Sequence, residues 1–376
     1  MRRFVNLGLY DGDKRLYLLR RLDLSKMDFF HRTAEEAAEH GKVLPTLTPA
    51  KARATNRRRI CNNTDLATAE AAAPKIVPPK PELFMGPPQI SPCLDSRRFV
   101  HFFPTASESK VVLGDRGNRM LRFNIVDGSR YMDTLPCLHG VKEMPMAISV
   151  PPTDLHLPDG EDTGDLYIID GLLHPDKAEV RPQFEALVWR GFHSSAVSSR
   201  FWHCDILPLP PWISHHEYAM VFGHALVGDS ICRGCRHLLL RHHDSLDSGL
   251  VSQTTSPVLP PADLSGVVRG EELPPDKMRI WARDDLPEEW QPKNLHNPCL
   301  VSLGSGRFIV VDFLDAMKFN KEWNEMESVK EFALFTGMEV AYSNGKGKGI
   351  MRGLRMMKHK SRRYMFKNQE RIEAVL

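Results

Sequence analysis

Cys232 and Cys235 form the sharpest chemical motif in this sequence, because two thiolates three residues apart can hold one tetrahedral metal ion. His237, His242 and His243 follow closely enough to complete a four-ligand zinc set. A second pair at the same spacing is missing, so two thiols at a turn is the simpler reading. Redox use of the motif would need a helix N-terminus after a strand in a βαβ unit, and the surroundings here are strand-rich. Gly228-Asp229-Ser230 resembles an esterase nucleophile block, but Ile231 follows, and no G-x-S-x-G elbow occurs anywhere. Gly345-Lys346-Gly347-Lys348-Gly349 has glycines and lysines suited to phosphate, yet no Ser or Thr follows the lysines as a P-loop requires. It reads as a hairpin loop. His216-Glu217 lacks the second histidine of a zinc-protease helix. The sequence therefore designates no catalytic, cofactor-binding or metal-binding residue and no cofactor.

Two basic clusters and three tryptophans are the remaining candidates. Lys51-Ala52-Arg53-Ala54-Thr55-Asn56-Arg57-Arg58-Arg59 has the composition of a nuclear import signal or of a solvated linker. Lys358-His359-Lys360-Ser361-Arg362-Arg363 sits in a strand-like stretch, where alternate cations can face water and blunt a sheet edge. Only Tyr364 and Phe366 lie near it as stacking platforms, so nucleic acid is not the expected partner. Trp189, Trp202 and Trp212 fall near the ends of strand groups and read as core anchors, since each ring removes much apolar surface from water.

The elements that would position such residues are strands. Hydrophobic residues make up 42% of the 376 and charged residues 26%, ordinary globular material, and a formal net charge of +3 is too small to argue for nucleic acid. Seven cysteines do not read as a disulfide framework, which favours a reducing compartment. No apolar run is long enough for a membrane span, and the first residues lack a signal-peptide pattern. A cytoplasmic or nuclear location is expected.

Residues 4–24 form a hairpin in which Asp11-Gly12 supplies the positive φ of the turn. Thr33 caps a short helix over 33–39 with Glu36 completing a capping box. Residues 41–92 read as a disordered Pro/Ala-rich linker, because the seven prolines in 74–92 are incompatible with a packed sheet. From Cys93 onward, strands recur in groups of four. One group runs from Phe99 to Leu135-Pro136, the next from Ala147 to Leu207-Pro208, and a third begins at Tyr218. The C-terminal 79 residues add runs at 300–313, 332–340 and 353–366. Strands in fours imply propeller blades of about 45 residues, giving about six blades over 93–376, or about five if 236–295 is irregular.

The segments Arg3–Leu7, Arg20–Ser25, Lys110–Pro136, Phe201–Pro211 and Leu354–Tyr364 together resemble a large group of uncharacterised proteins expanded in grasses. Those proteins carry a domain of unknown function and are expected to form kelch-like or F-box-associated-like β-propellers. The resemblance covers residues 1–31, 93–232 and 296–376. It implies an all-β propeller of five to six four-stranded blades, one of them degenerate at 236–295. The hairpin of residues 1–31 would complete a sheet with the C-terminal strands, and helix plus linker would occupy 32–92. No F-box helical signature is present. The functional expectation is a non-enzymatic, monomeric protein-interaction module whose partner is unidentified. The alternatives are an enzyme with a site on the propeller's top face and a degenerate paralogue without function.

Overall fold

The structure, a computed structural model, describes residues 2–33, 36, 73–85, 100–126, 129–151, 164–174, 181–193, 198–209, 219–227, 230–237, 286–287, 289–293, 298–320, 323, 325–343, 353–367 and 369–376. The described residues are almost entirely β, the one named helical element being a 3-10 turn at Leu24–Lys26. Its first sheet holds β1 (Phe4–Asp11), β2 (Leu16–Asp23) and β3 (Pro81–Met85), and is completed by the last strand of the chain, β20 (Glu370–Val375), in the order β20-β1-β2-β3. The expected joining of the N-terminal hairpin to the C-terminal strands is thus present: Leu7 faces Val375 and Asp11 faces Glu370 across the antiparallel pair.

Period-two alternation explains why this sheet is so apolar. Val5, Leu7, Leu9, Leu18 and Leu22 join one buried cluster with Ile309, Val311 and Phe335, whereas Tyr17 and Leu19 join another with Val100, Phe102 and Val111. Both faces are therefore covered, each buried leucine or valine contributing about 1.5–3 kcal/mol. The hairpin turn differs in detail from expectation. Positive φ falls on Arg15 (54°) instead of Gly12, because four residues separate the paired Asp11 and Leu16 and the Asp11 carboxylate accepts the Lys14 N–H at 3.1 Å.

The second sheet runs in chain order through β4 (Val100–Phe103), β5 (Lys110–Asp115), β6 (Met120–Val126) and β7 (Ser129–Leu135). The third contains β8 (Met146–Val150), β9 (Asp165–Ile169), β11 (Phe184–His193) and β12 (Ser198–Ile206). A fourth pairs β10 (Leu172–Leu173) with β13 (Ala219–Val227) and β14 (Ser230–His237). The fifth comprises β15 (Trp290–Pro292), β16 (Cys299–Gly304), β17 (Arg307–Asn320), β18 (Glu325–Ser343) and β19 (Gly353–Met365). Pairing between named strands is antiparallel throughout. Strand β20 touches β4, β4 touches β8 and β8 touches β13, so the leading strands of successive sheets meet one another. Apolar clusters join fifth to first, first to second, second to third and third to fourth sheets. This succession is consistent with a β-propeller-like arrangement. Among the described residues no cluster joins the fourth sheet to the fifth. Of the region expected to be irregular, 236–295, the described part holds the end of β14 and the short β15, and residues 238–285 lie outside the described set.

Two expectations are corrected. The proline-rich stretch does enter a sheet: Pro81–Met85 pairs with β2 as an edge strand, and Pro81 stands at its first position, where a missing N–H costs nothing. Upstream, Pro74 accepts the Arg363 N–H at 2.9 Å, Ile76 donates to the Arg363 carbonyl at 2.7 Å, and Ala73 and Ile76 are buried. Prolines supply carbonyl acceptors even where they cannot donate, and this segment uses them to cover the edge of β19. Strands β17 and β18 also reach well beyond the apolar runs at 307–313 and 332–340, to Asn320 and back to Glu325. Their extra residues alternate, Met317 and Phe319 on one side of the ribbon and Lys318 and Asn320 on the other.

Of the expected helix at 33–39 only its start is described. There the Thr33 hydroxyl accepts the Glu36 N–H at 3.1 Å, and the Glu36 carboxylate accepts the Arg32 N–H at 3.1 Å.

Candidate functional site

Antiparallel order places five chain positions on one rim of the third sheet: the β7–β8 connection, the start of β8, the end of β9, the start of β11 and the end of β12. Glu185 lies one residue into β11 opposite Ile206, and Cys204 stands opposite Leu187. Residues paired across strands share a face, so Glu185, Leu187 and Cys204 point the same way, and Leu187 and Cys204 pack against the second sheet. The β7–β8 connection passes over this face and brings His139 and Lys142 to the same point.

Glu185 is the centre. It is fully buried, with Oε2 accepting the His139 backbone N–H at 2.7 Å, facing His139 Nδ1 at 2.8 Å and accepting the Cys204 thiol at 3.4 Å. Its Oε1 accepts the Gly140 N–H at 3.2 Å and the Lys142 ammonium. Lys142 is buried as well and donates to the Pro182 carbonyl at 2.7 Å and the Gly140 carbonyl at 3.1 Å. Burial opposes charging Glu185, but the hydrogen bonds from Lys142 and His139 outweigh it and hold the carboxyl below its ordinary range. The same burial, reinforced by the Glu185 charge, pushes the Cys204 thiol up to about 12. Cys204 therefore donates as a thiol at neutral pH.

A second carboxylate lies at the same rim. Asp170 follows β9, accepts the Glu143 N–H at 2.6 Å and faces the Arg181 guanidinium at 3.2 Å. Burial raises it to about 6 in spite of these partners. Gln183 bridges the connection after β9 by exchanging hydrogen bonds with the His174 backbone.

His139 Nδ1, the Glu185 carboxylate and Cys204 Sγ lie within 4.8 Å of one another. Imidazole, carboxylate and thiolate are all zinc ligands, and three protein ligands leave a fourth tetrahedral position for water or substrate. The side chain of His139 is 46% exposed, so that position would open toward solvent. Lys142 on the opposite carboxylate oxygen is placed to orient the Glu185 ligand from behind.

None of these residues was designated from sequence. They are 46 and 19 positions apart and carry no local spacing signal. The motifs that were singled out go elsewhere. Cys232 and Cys235 lie within β14, paired with Ala225 and Val221 across an antiparallel ladder whose register shifts beside Cys235, and not at a turn. Their side chains, His242, His243, Gly228-Asp229, His216-Glu217, Lys51–Arg59, Gly345–Gly349 and Trp212 lie outside what is described. Ser230 opens β14.

The basic run at 358–363 falls on edge strand β19, as expected, but its cations are occupied by the protein itself. Lys360 pairs with Asp28, Arg362 donates to the Asp28 carbonyl, and Arg363 is buried against Ala73. Trp189 and Trp202 face each other across β11 and β12 with ring centroids 5.5 Å apart, and Trp202 packs against the cluster between the second and third sheets, the core-anchor role expected for it.

A run of antiparallel sheets joined by shared apolar clusters, with a buried carboxylate cluster on one rim, defines an all-β domain. The chain belongs to the family described as "Protein of unknown function (DUF1668)", whose model matches residues 2–234 and 238–364. The second matched stretch includes the 238–285 segment, so that segment is part of the family pattern. No curated protein and no solved structure matches the chain. No helix among the described residues is long and apolar enough to cross a membrane.

Proposed function

We propose that this domain is a β-propeller whose function resides at the rim of its third sheet, where His139, Glu185 and Cys204 bind a divalent metal ion of the zinc type. The carrying observation is the convergence of three different ligand chemistries within 4.8 Å, backed by a buried lysine. The propeller reading is supported by antiparallel sheets in succession, three of the five four-stranded, and by the pairing of β1 with β20, the way a ring of blades is commonly closed. In that frame the rim is the face where the connections between blades run, the usual location of propeller sites. A metal with an open position supports activation of a water or polarisation of a carbonyl or phosphoryl oxygen. This favours an enzyme over a module that only binds protein.

Metal entry replaces the protons now shared among the ligands. The His139–Glu185 separation of 2.8 Å is a hydrogen-bond distance. Tetrahedral zinc ligands about 2.0–2.3 Å from the ion stand more than 3 Å apart, so the cluster must expand by about 0.5 Å. The half-exposed His139 side chain is the group with room to move.

Zinc titration by calorimetry, followed by metal analysis after dialysis, tests the reading. One equivalent is expected to bind the intact chain, and His139→Ala and Cys204→Ser are expected to weaken it by about 10–100-fold or more. Unchanged stoichiometry and affinity in both variants would place the metal elsewhere. Absence of binding to the intact chain would leave Glu185 as a structural anchor and overturn the proposal.

A further inference from the structure

Two histidines 328 positions apart meet against the fifth sheet. His31 lies in the segment that follows the 3-10 turn at Leu24–Lys26, and His359 lies on β19; both are buried. The segment is docked closely. Phe29 is buried in the cluster between the first and fifth sheets, and its carbonyl accepts the Lys360 N–H at 2.9 Å. A Cβ at Gly337 would stand 2.7 Å from that same oxygen, so β18 admits the segment because it has no side chain there. Asp28 pairs with the Lys360 ammonium, and its carbonyl accepts from Arg362 at 3.2 Å.

Beyond Phe29 the hold passes to the imidazoles. The His31 backbone N–H donates to His359 Nδ1 at 3.1 Å. An amide N–H can only donate, so Nδ1 is the unprotonated nitrogen, and the ring proton sits on Nε2, 3.1 Å from the Glu339 carboxylate. The His31 ring stacks on the His359 ring with centroids 5.8 Å apart, and its Nδ1 is 3.5 Å from the Glu36 carboxylate. Phe30 meets His359 edge-on at 5.1 Å and lies under the Arg307 guanidinium. Each element packed on the pair brings charge to it. Glu339 comes from β18; Arg307 comes from β17 and is paired with Glu339 at 3.4 Å. Lys360 comes from β19 and is paired with Asp28 of the segment, which also supplies Glu36. Burial holds His359 below the ordinary histidine value; Glu339 opposes this, and His31 and Arg307 reinforce it.

We infer that His31 and His359 form an acid-released latch, which keeps the chain from Phe30 to Thr33 on the sheet while His359 is neutral and lets it go when His359 takes a proton. A second ring proton has only Nδ1 to occupy, where it would point at the His31 N–H, donor against donor. That bond must break for the proton to enter. The imidazolium keeps Glu339 as its partner through Nε2, and Nδ1–H donates to water in the space the segment vacates. Phe29 stays, because neither its burial nor its carbonyl bond involves the imidazole. Release bares the Phe30 ring and the part of the sheet that carries Glu339 and His359. The latch is complete above about 6.5 and loosens as pH falls, the open fraction rising by at most about tenfold per pH unit for one proton.

Hydrogen exchange of the full chain at about pH 7.5 and about pH 5.5, expressed as protection relative to the unstructured rate at each pH, tests this. Protection of the His31 amide is expected to fall about 10-fold on acidification, while that of the Lys360 amide, bonded to Phe29, is retained. His359→Asn offers an oxygen in place of Nδ1 and cannot take a proton, so its His31 amide should stay protected at both values. Glu339→Gln removes the carboxylate that favours the cation and should move the loss to lower pH; an unmoved or raised onset overturns the inference. So does unchanged His31 protection in the intact chain, or a loss shared equally by Lys360, which would mean that the sheet itself opens. An acid loss undiminished in His359→Asn overturns it too, by assigning the proton to another group. The metal site takes no part in any of these outcomes.

Discussion

Glu370→Leu tests how the chain ends hold each other. The Glu370 carboxylate, at the start of β20, faces the Arg20 guanidinium of β2 at 3.1 Å, with both side chains buried. Arg20 also donates to the Pro79 carbonyl, and the second Glu370 oxygen accepts the Lys367 N–H at 3.3 Å. One ion pair thus joins first hairpin, proline segment and last strand. Two unit charges about 4 Å apart attract by about 4 kcal/mol at an effective dielectric near 20, and much of this is offset by the desolvation of both groups. Removing one partner forfeits the attraction and keeps the other charge out of water, so Glu370→Leu and Arg20→Met should each cost about 3–5 kcal/mol. The double variant buries no charge and should fall well short of the sum, leaving a coupling energy of at least about 2 kcal/mol. Urea unfolding midpoints at constant m measure it, and the loss should persist in high salt because the pair is shielded from solvent. Single variants costing under about 1 kcal/mol, or a double variant that simply adds them, would show the pair to be effectively solvated and refute the argument.

Other perturbations follow from burial. His101 on β4 is held near 4 by desolvation, with Arg116 adding to the effect, so the unfolded chain takes up its proton first as pH falls. Its contribution is complete above about 6.5 and is lost on going down to about 4, on the order of 2–3 kcal/mol; His101→Asn should flatten this limb of the stability-pH curve, and an unchanged limb would disprove it. A methyl group at Gly8 would meet the Phe102 ring at 2.5 Å, so Gly8→Ala should cost about 1–3 kcal/mol by thermal unfolding, whereas no loss would mean the two sheets can separate freely. If His139, Glu185 and Cys204 hold zinc, the metal should raise the melting temperature of the intact chain and Cys204→Ser should abolish that rise; retention of the rise would remove Cys204 from the metal set.

The alternating runs at 4–10, 99–103, 110–115 and 184–189 were readable as strands because their side chains enter clusters on both faces, leaving long apolar stretches between turn residues. The pairing of β1 with β20 followed from the need to complete a sheet. Proline led the reading astray at 74–85, because it forbids donating and not accepting, and an edge needs only one of the two. The outer ends of β17 and β18 were missed for the converse reason: Met317 and Phe319 alternate with Lys318 and Asn320 too briefly to stand out, and the strand character comes from pairing across the ribbon. The Glu185 cluster was least legible. A histidine after β7, a glutamate on β11 and a cysteine on β12 converge only once the second and third sheets have stacked, and stacking leaves no mark at any one position.

The pairing of β1 with β20 also sets a timetable. Strands β1 and β2 are made long before β20, the strand that pairs with β1, and Asn6 exchanges both backbone hydrogen bonds with Leu376. Until β20 is made, the β1–β2 hairpin presents a bare edge of leucines and valines, so this sheet cannot be completed before β20 emerges and is exposed to misassociation while it waits.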